Sequence, residues 1–233
     1  MAYTTINNIK TYYEEHGNGE PILFIHGLGS SVADWKIQID FFSKEFKVIV
    51  YDIRGNGLSG TSNSKFSIAN LAEDCATLLR SLSGTSAHVV GISLGGMIAY
   101  QLAVSDPDVV RTLTVVNSIP EFNITNIRLR IKFWTRVMLV RLFGLRTIGK
   151  LLSKKLFPGE KFEALRKEFV IKWSKNNKRA YLNTLRAMKG WSIKNQLGSI
   201  KCPTLIIASE FDYTSLELKQ YYAKMISNVK LVT

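Results

Sequence analysis

Short, largely apolar runs alternate along most of the chain with segments whose apolar residues recur at helical spacing. The runs are typical of strands buried on both faces of a sheet, and they cover residues 21–25, 46–53, 88–92, 110–116, 203–208 and 229–232. Helices are predicted over residues 31–42, 68–82, 97–104 and 215–226. Residues 4–15 add a predicted hairpin around Asn7 and Asn8. This alternation predicts an α/β fold with a mostly parallel sheet flanked by helices.

The alternation stops between Ser118 and Ser199, where the pattern predicts three or four helices and no strand. We therefore predict two parts. Residues 1–118 and 199–233 form the α/β core, and residues 119–198 form an inserted helical cap. Open α/β sheets bind ligands at the carboxyl edge of their strands, so we expect the cap to cover that edge.

One serine stands out for its position between a predicted strand and a predicted helix. Ser93 follows the strand over residues 88–92 and is flanked by Gly91 and Gly95 in a G-x-S-x-G pattern. A serine on so tight a turn needs a strained backbone, which neighbours without side chains make sterically possible. The following helix offers N–H groups to a developing oxyanion. The pattern favours a nucleophilic serine over a plain glycine–serine turn.

Positive charge is concentrated in the predicted cap. The chain carries +13, and residues 120–200 hold 19 of its 31 Lys and Arg residues but only 4 of its 18 Asp and Glu residues. The net charge of residues 120–200 is therefore +15, and that of the rest of the chain is −2. An anionic partner is indicated, and a membrane surface, an acidic carrier protein and nucleic acid all fit. Nucleic acid is the least favoured, because no segment resembles a known nucleic-acid-binding module. The candidate partner-binding residues are Arg128, Arg130, Arg136, Arg141 and Arg146.

Four motifs in sequence order carry a resemblance to a known family. They are His26-Gly27-Leu28-Gly29, the Asp52-x-Arg54-Gly55-x-Gly57-x-Ser59 segment, the Gly91-x-Ser93-x-Gly95 turn and residues 206–212. With them the chain resembles the α/β-hydrolase fold family, in its capped serine esterase branch. In length, motif order and cap charge it is also similar to the carrier-protein methyl ester esterases of biotin synthesis.

The resemblance implies a role for four residues. Ser93 would be the nucleophile, and the backbone N–H groups of Leu28 and Leu94 would form the oxyanion hole. Asp212, just after a buried strand, would orient a catalytic histidine, although a turn aspartate is the alternative. No cofactor is implied, and no spacing of Cys, His and carboxylates suggests a metal site.

The histidine that the resemblance implies should follow the last strand, but the chain stops at Thr233, within that strand. The three histidines present do not suit the role. His16 lies in a glycine-flanked turn, His26 belongs to the oxyanion-loop motif, and His88 is about 16 Å before Ser93 along a strand. We therefore interpret the chain as a shortened or cleaved form and expect that it does not turn over esters as it stands.

Two remaining patterns bear on competing classes. Residues 55–60 match G-x-G-x-x-G, but the loop-like residues 61–65 that follow cannot supply the helix N-terminus that a dinucleotide phosphate needs. The sequence has no secretory signal or membrane-spanning stretch, and its two cysteines suit buried, reduced thiols; these features predict a cytoplasmic protein.

The favoured function is a cytoplasmic serine carboxylesterase acting on an acyl ester with an apolar chain. An ester bound to an acidic acyl carrier protein is the favoured sub-hypothesis for its substrate. The alternative is a non-catalytic or shortened hydrolase scaffold whose basic cap holds an acidic protein or a membrane surface. The residues leave the acyl length and the leaving alcohol open. Acyl transfer, thioester cleavage and perhydrolysis use the same residues and stay open as well.

Overall fold

The computed structural model describes residues 2–61, 64–124, 126–210, 212 and 214–233. Within these ranges eight strands form one sheet in the order β1-β2-β4-β3-β5-β6-β7-β8. Their bounds are Ala2–Ile6 (β1), Ile9–His16 (β2), Glu20–Ile25 (β3), Phe46–Tyr51 (β4), Ala87–Ile92 (β5), Val110–Val116 (β6), Thr204–Ile207 (β7) and Val229–Val232 (β8). β1 and β2 pair antiparallel, as do β2 and β4, and all later neighbours are parallel. The predicted α/β fold with a mostly parallel sheet is confirmed.

Seven α-helices connect the strands within the described ranges. They are Lys36–Phe42 (α1), Ile68–Leu82 (α2), Leu94–Ser105 (α3), Ile127–Leu156 (α4), Glu163–Ser174 (α5), Lys178–Met188 (α6) and Leu216–Ala223 (α7). The prediction placed the start of α3 at Met97, which is wrong by three residues, because the helix begins directly after Ser93. The strand predicted over residues 46–53 ends at Tyr51, since Asp52 already bonds to the loops around it.

The sheet has a hydrophobic core on each of its two faces. The larger one packs α2 and α3 against the sheet through residues such as Leu71 and Leu102. The smaller one lies on the other face, where Trp35 sits 4.9 Å from Phe24 between ring centroids. α2 is started by Ser67, whose side chain and backbone both bond to Asn70 in a capping box. Both faces are therefore buried, which is why the strands read as continuous apolar runs.

Helices α4, α5 and α6 lie between β6 and β7 in the chain. α4 is interrupted at Gly144, whose backbone angles (φ 75°, ψ 179°) are accessible essentially to glycine alone. The interruption divides α4 into a first arm, residues 127–143, and a second arm, residues 145–156. No helix in the described ranges has the length and apolar content needed to cross a membrane.

Candidate active site

Ser93 occupies a strained turn at the carboxyl end of β5. Its backbone angles are φ 53° and ψ −113°, a region that residues with a side chain rarely adopt. The end of β6 holds the turn from two sides. The Ser93 N–H donates to the Val116 carbonyl at 3.0 Å, and the Ser118 hydroxyl donates to the Ser93 carbonyl at 2.7 Å. Such strain persists only where surrounding contacts enforce it, as at many functional sites.

The glycines around Ser93 are explained by the close approach of neighbouring backbone. A Cβ atom on Gly95 would overlap the carbonyl oxygen of Ile25, and one on Gly91 would overlap the carbonyl oxygen of Gly95. A Cβ atom on Gly96 would come within 2.5 Å of the Ser118 Cβ. The turn therefore tolerates no side chain at these three positions without movement of its surroundings.

The two predicted oxyanion residues lie on either side of Ser93. Leu94 is the first residue of α3, where helix N–H groups have no partner within the helix. Leu28 follows Gly27, whose backbone lies so near that a Cβ there would be 3.6 Å from the Ser93 Cβ. This placement is compatible with an oxyanion hole, and the roles of Leu28 and Leu94 stay predictions.

His26 is a structural residue in this loop. Its Nδ1–H donates to the Gly27 carbonyl at 2.8 Å, and its Nε2 accepts the Ile53 N–H at 3.0 Å. Burial lowers the pKa of the imidazole from its ordinary value of 6.5, so the ring is neutral at pH 7. With both nitrogens engaged, His26 cannot take a proton from Ser93 without breaking the loop.

The other two histidines lie away from the edge that carries Ser93. His88 is near the start of β5, where its ring nitrogens contact Thr112 and Glu20. His16 contacts Glu14 and pairs in register with Val48, near the beginning of β4. All three histidines of the sequence fall within the described residues, and none is placed to act as the base for Ser93.

The Asp52-to-Ser59 motif holds the loops of the same edge. The two Asp52 carboxylate oxygens accept the N–H groups of Val32 and Leu58, at 2.8 and 2.7 Å. Arg54 forms a buried ion pair with Asp74 on α2. α2 starts at Ile68, so no helix opens directly after residue 60, and residues 62 and 63 lie outside the described residues. The motif therefore has a structural function here.

Asp212 follows β7 and is engaged by a buried lysine that the sequence pattern did not reveal. Its Oδ2 accepts from Lys219 Nζ at 2.6 Å and from the Thr214 hydroxyl at 2.7 Å. The Lys219 side chain is only 1% exposed. A lysine within a short helix is usually solvent-exposed, so the sequence carried no signal for this pair. Phe211, in the same motif, lies outside the described residues.

The position of β8 bears on the predicted histidine. β8 runs parallel to β7, with Val232 opposite Ile207, and the Ala208 N–H donates to the Val232 carbonyl at 2.9 Å. The carboxyl end of β8 therefore lies at the same edge as Ser93 and Asp212. A histidine on a loop after this strand stays a prediction, as does the interpretation that the chain is shortened.

Residues 172–176, in the segment predicted to form the cap, contact the loop that carries Leu28. The Asn176 side chain donates to the Gly29 carbonyl at 2.8 Å, and Lys172 forms an ion pair with Asp34 at 3.1 Å. The Trp173 ring packs so closely that a Cβ on Gly29 would be 2.8 Å from it. Sequence reasoning missed these cap residues, because nothing in the spacing of α5 indicates which side chains point toward the core.

The five candidate partner-binding arginines are not equivalent. Arg136 is half-buried and donates from Nε to the Tyr181 hydroxyl at 2.8 Å, which ties it to α6. The other four are exposed: Arg128, Arg130, Arg141 and Arg146. Because Gly144 redirects α4, Arg146 does not continue the face of the first arm. Their proposed binding role remains a prediction.

Comparison with known proteins gives the family. Residues 20–232 match the alpha/beta hydrolase fold family, and the chain therefore belongs to it. A putative carbamate hydrolase RutD of Variovorax paradoxus is 32% identical over 86% of this chain and 78% of that protein. Another, from Azorhizobium caulinodans, is 39% identical over half of this chain and 44% of that protein's length.

A solved structure agrees at the level of the fold. The enol-lactonase from Burkholderia xenovorans LB400 superposes with a TM-score of 0.90 over 99% of this chain and 90% of that one. Its sequence is 21% identical, so the likeness shows the fold. None of these three names mentions a carrier protein, and the similarity to carrier-protein esterases stays a prediction.

Proposed function

We propose that the protein is a serine hydrolase that cleaves a carboxylic ester through an acyl-enzyme formed on Ser93. The observation that carries the proposal is the strained Ser93 turn, held by Val116 and Ser118 at the edge of the sheet. Ser93 directly precedes α3, and a Cβ on Gly27 would be 3.6 Å from its Cβ, so the start of α3 and the Gly27–Leu28 loop both lie near this residue. That arrangement suits attack on a carbonyl whose oxygen is bound by backbone N–H groups.

In the proposed reaction the Ser93 Oγ attacks the carbonyl carbon of the substrate. A bond forms between Oγ and that carbon, and the alcohol leaves with a proton. Water then attacks the acyl carbon, the bond to Oγ breaks, and the serine regains its proton as the acid is released. Both proton transfers need a general base, and none of the three histidines of the sequence, all of them among the described residues, is placed to act as one.

The names of the relatives define the substrates to compare with a simple ester. An ester and an enol-lactone each carry a carbonyl bonded to an oxygen leaving group. The carbonyl of a carbamate is bonded to nitrogen as well. A serine hydroxyl attacks the carbonyl carbon in all three. We propose the ester as the preferred class, because α4, in the segment predicted to form the cap, is rich in apolar side chains and has no Asp or Glu.

A substrate panel tests the proposal. Hydrolysis of p-nitrophenyl acyl esters, an enol-lactone and a carbamate would be measured for the wild-type protein and for Ser93→Ala, with Ser215→Ala as the matched control. Ser215 caps α7, and its replacement should affect stability alone. We expect Ser93→Ala to lower kcat/KM for esters at least about 10³-fold. Ester hydrolysis that survives Ser93→Ala would contradict the proposal.

The carrier-bound ester is a finer proposal that rests on the charge of the cap. Arg128, Arg130 and Arg141 are exposed and could meet an acidic carrier, whereas Arg136 is held by Tyr181. Replacing the three exposed arginines by Glu should lower the rate on a carrier-bound ester and spare a small free ester. An equal loss of rate on the carrier-bound ester and on the free ester would contradict this proposal.

The non-catalytic alternative makes a different prediction. A scaffold without a functional base would bind its partner through the cap but hydrolyse no member of the panel, and Ser93→Ala would then change nothing. The intact mass of the natural protein should be measured beside the 26.3 kDa of this chain. A larger mass would favour the enzyme, and equality with no hydrolysis would favour the scaffold.

A further inference from the structure

The first arm of α4 exposes a continuous apolar stripe. Ile127, Ile131, Trp134, Met138 and Leu142 follow one another at spacings of four, three, four and four residues, which places them on one helix face. Between 46% and 67% of each side chain is accessible to solvent. About half or more of each of these side chains therefore stays outside the core, and exposing so much contiguous apolar surface is costly for a protein that remains free in water.

A different face of the same arm packs into the cap. Phe133, Val137 and Val140 are buried, with exposures of 6% or less. The arm thus has two apolar faces, of which the fold uses one. Packing within the cap explains the buried face but not the exposed one.

The charges of the arm lie beside the exposed stripe. At about 100° per residue, Arg130 and Arg141 fall on one side of it, and Arg128 and Lys132 fall on the other. All of α4 contains nine Lys and Arg residues and no Asp or Glu. An apolar stripe between two rows of cations is the pattern of helices that lie in the headgroup region of a bilayer.

A groove between the two arms adds a second apolar feature. It has a volume of about 290 Å³, and apolar side chains of both arms line it, among them Ile131, Leu139 and Leu151. Lys132 and Arg136 lie at the same groove. Ile131 belongs to both the stripe and the groove, so the two features form one surface. The groove has the chemistry to hold an apolar chain beneath an anionic head.

Trp134 supports an interfacial position for this surface. Its ring is 46% exposed at the centre of the stripe, and Lys189 Nζ of the neighbouring α6 segment lies 5.0 Å from the ring centroid. Tryptophan side chains and lysines with long apolar stems are favoured at the boundary between hydrocarbon and headgroups. With the stripe facing a bilayer, Trp134 and Lys189 would lie at the boundary between the hydrocarbon and the headgroups.

We propose that the first arm of α4 docks the protein on a membrane surface rich in anionic lipid. The stripe would insert among the acyl chains while the flanking cations contact headgroup phosphates. Other occupants match only part of the surface. A second copy would bring nine further cations against the nine of α4, and an acidic carrier would engage the arginines but leave the stripe in water. Docking is independent of the hydrolytic function, because it uses no residue of the Ser93 site.

Vesicle flotation tests the proposal directly. The purified protein is floated with vesicles of phosphatidylcholine alone and with vesicles that also contain phosphatidylserine. We expect strong binding to the second kind and little to the first. Two double variants test the apolar and the charged parts of the surface separately. Ile131→Ser with Leu142→Ser removes apolar contacts, and Arg130→Glu with Arg141→Glu reverses two charges. Each pair should lower partitioning, the charge pair by roughly 25-fold or more, since each cation contributes about fivefold.

Matched controls use exposed residues of the core. Ile37→Ser with Phe41→Ser removes two exposed apolar side chains of α1, and Lys44→Glu with Lys224→Glu reverses two exposed charges. Both control pairs should float like the wild-type protein. All changed residues are exposed, and circular dichroism would confirm that each variant is folded.

Three results would overturn the proposal. The first is no flotation with phosphatidylserine vesicles. The second is binding that survives the apolar variant unchanged, since a purely electrostatic contact does not need the stripe. The third is equal binding to both kinds of vesicle. Binding of a purified acidic acyl carrier protein that depends on Arg130 and Arg141, without any vesicle binding, would assign the surface to the carrier instead.

Discussion

Among single residues, Asp212 has a structural contact that its predicted catalytic role does not require. It forms an ion pair with Lys219 in which both side chains are more than 90% inaccessible to solvent. A buried charge that loses its partner is costly, whereas loss of both charges together can be nearly neutral. Replacement of Asp212 therefore affects folding as well as any role beside a histidine.

We predict that Asp212→Asn lowers the free energy of unfolding by about 3–5 kcal/mol, because Lys219 keeps its charge without a carboxylate. Ser93→Ala should change it by less than about 1 kcal/mol. Urea denaturation measures both. Lys219→Met combined with Asp212→Asn should recover part of the loss. If the loss of unfolding free energy in the double variant equalled the sum of the losses in Asp212→Asn and Lys219→Met, the two residues would not be coupled.

His26 makes the stability of the protein depend on pH. Burial holds its folded-state pKa below 6.5, so below about pH 6.5 the unfolded chain binds more protons at this site than the folded one. Stability should therefore fall as the pH decreases from 7 toward 5. His26→Gln keeps a hydrogen-bond donor and an acceptor but does not titrate, so it should make the stability depend less on pH. Asp52 is present in both proteins. Identical slopes would refute the prediction.

At the scale of elements, the turn from β5 into α3 depends on glycine at Gly95. Gly95→Ala would drive a Cβ into the carbonyl oxygen of Ile25, and we expect a loss of roughly 2–4 kcal/mol in unfolding free energy. Gly198→Ala is the control, since its Cβ would come no closer than 3.9 Å to the Met225 carbonyl. Thermal unfolding compares the two variants. Similar melting temperatures would contradict this explanation of the motif.

Much of the element order could be predicted from the sequence, for a physical reason. Strands buried on both faces must be apolar, as residues 22–25 of β3 are, and the Ser93 turn needs its glycines. The interruption of α4 at Gly144 could not be predicted in the same way, because an isolated glycine is tolerated within many helices. Nor could the burial of Lys219, since it depends on where Asp212 lies in three dimensions.

For the molecule as a whole, one of the contacts between the predicted cap and the rest of the chain involves the loop that carries Leu28. Asn176 bonds to the Gly29 carbonyl, and Trp173 packs against the same glycine. The cap therefore fixes the loop that is predicted to bind the oxyanion, and the two parts should influence activity together.

We predict that Asn176→Ala lowers kcat for a small ester by about 3–10-fold, because a loop that loses one hydrogen bond holds its N–H groups less accurately. KM and the melting temperature should change little. Asn195→Ala, at an exposed position of the 3₁₀ helix Lys194–Ser199, is the matched control. An effect on KM alone would place Asn176 in substrate binding instead of loop positioning.

The central claim is that Ser93 is the nucleophile, and covalent labelling tests it most directly. The purified protein would be treated with a fluorophosphonate, a reagent that phosphonylates activated serines, and its intact mass and peptides would be measured. The account predicts one adduct, located on Ser93, with no adduct on Ser93→Ala. A labelled wild-type protein whose adduct lies on another residue, or a folded protein that takes up no reagent, would contradict the claim.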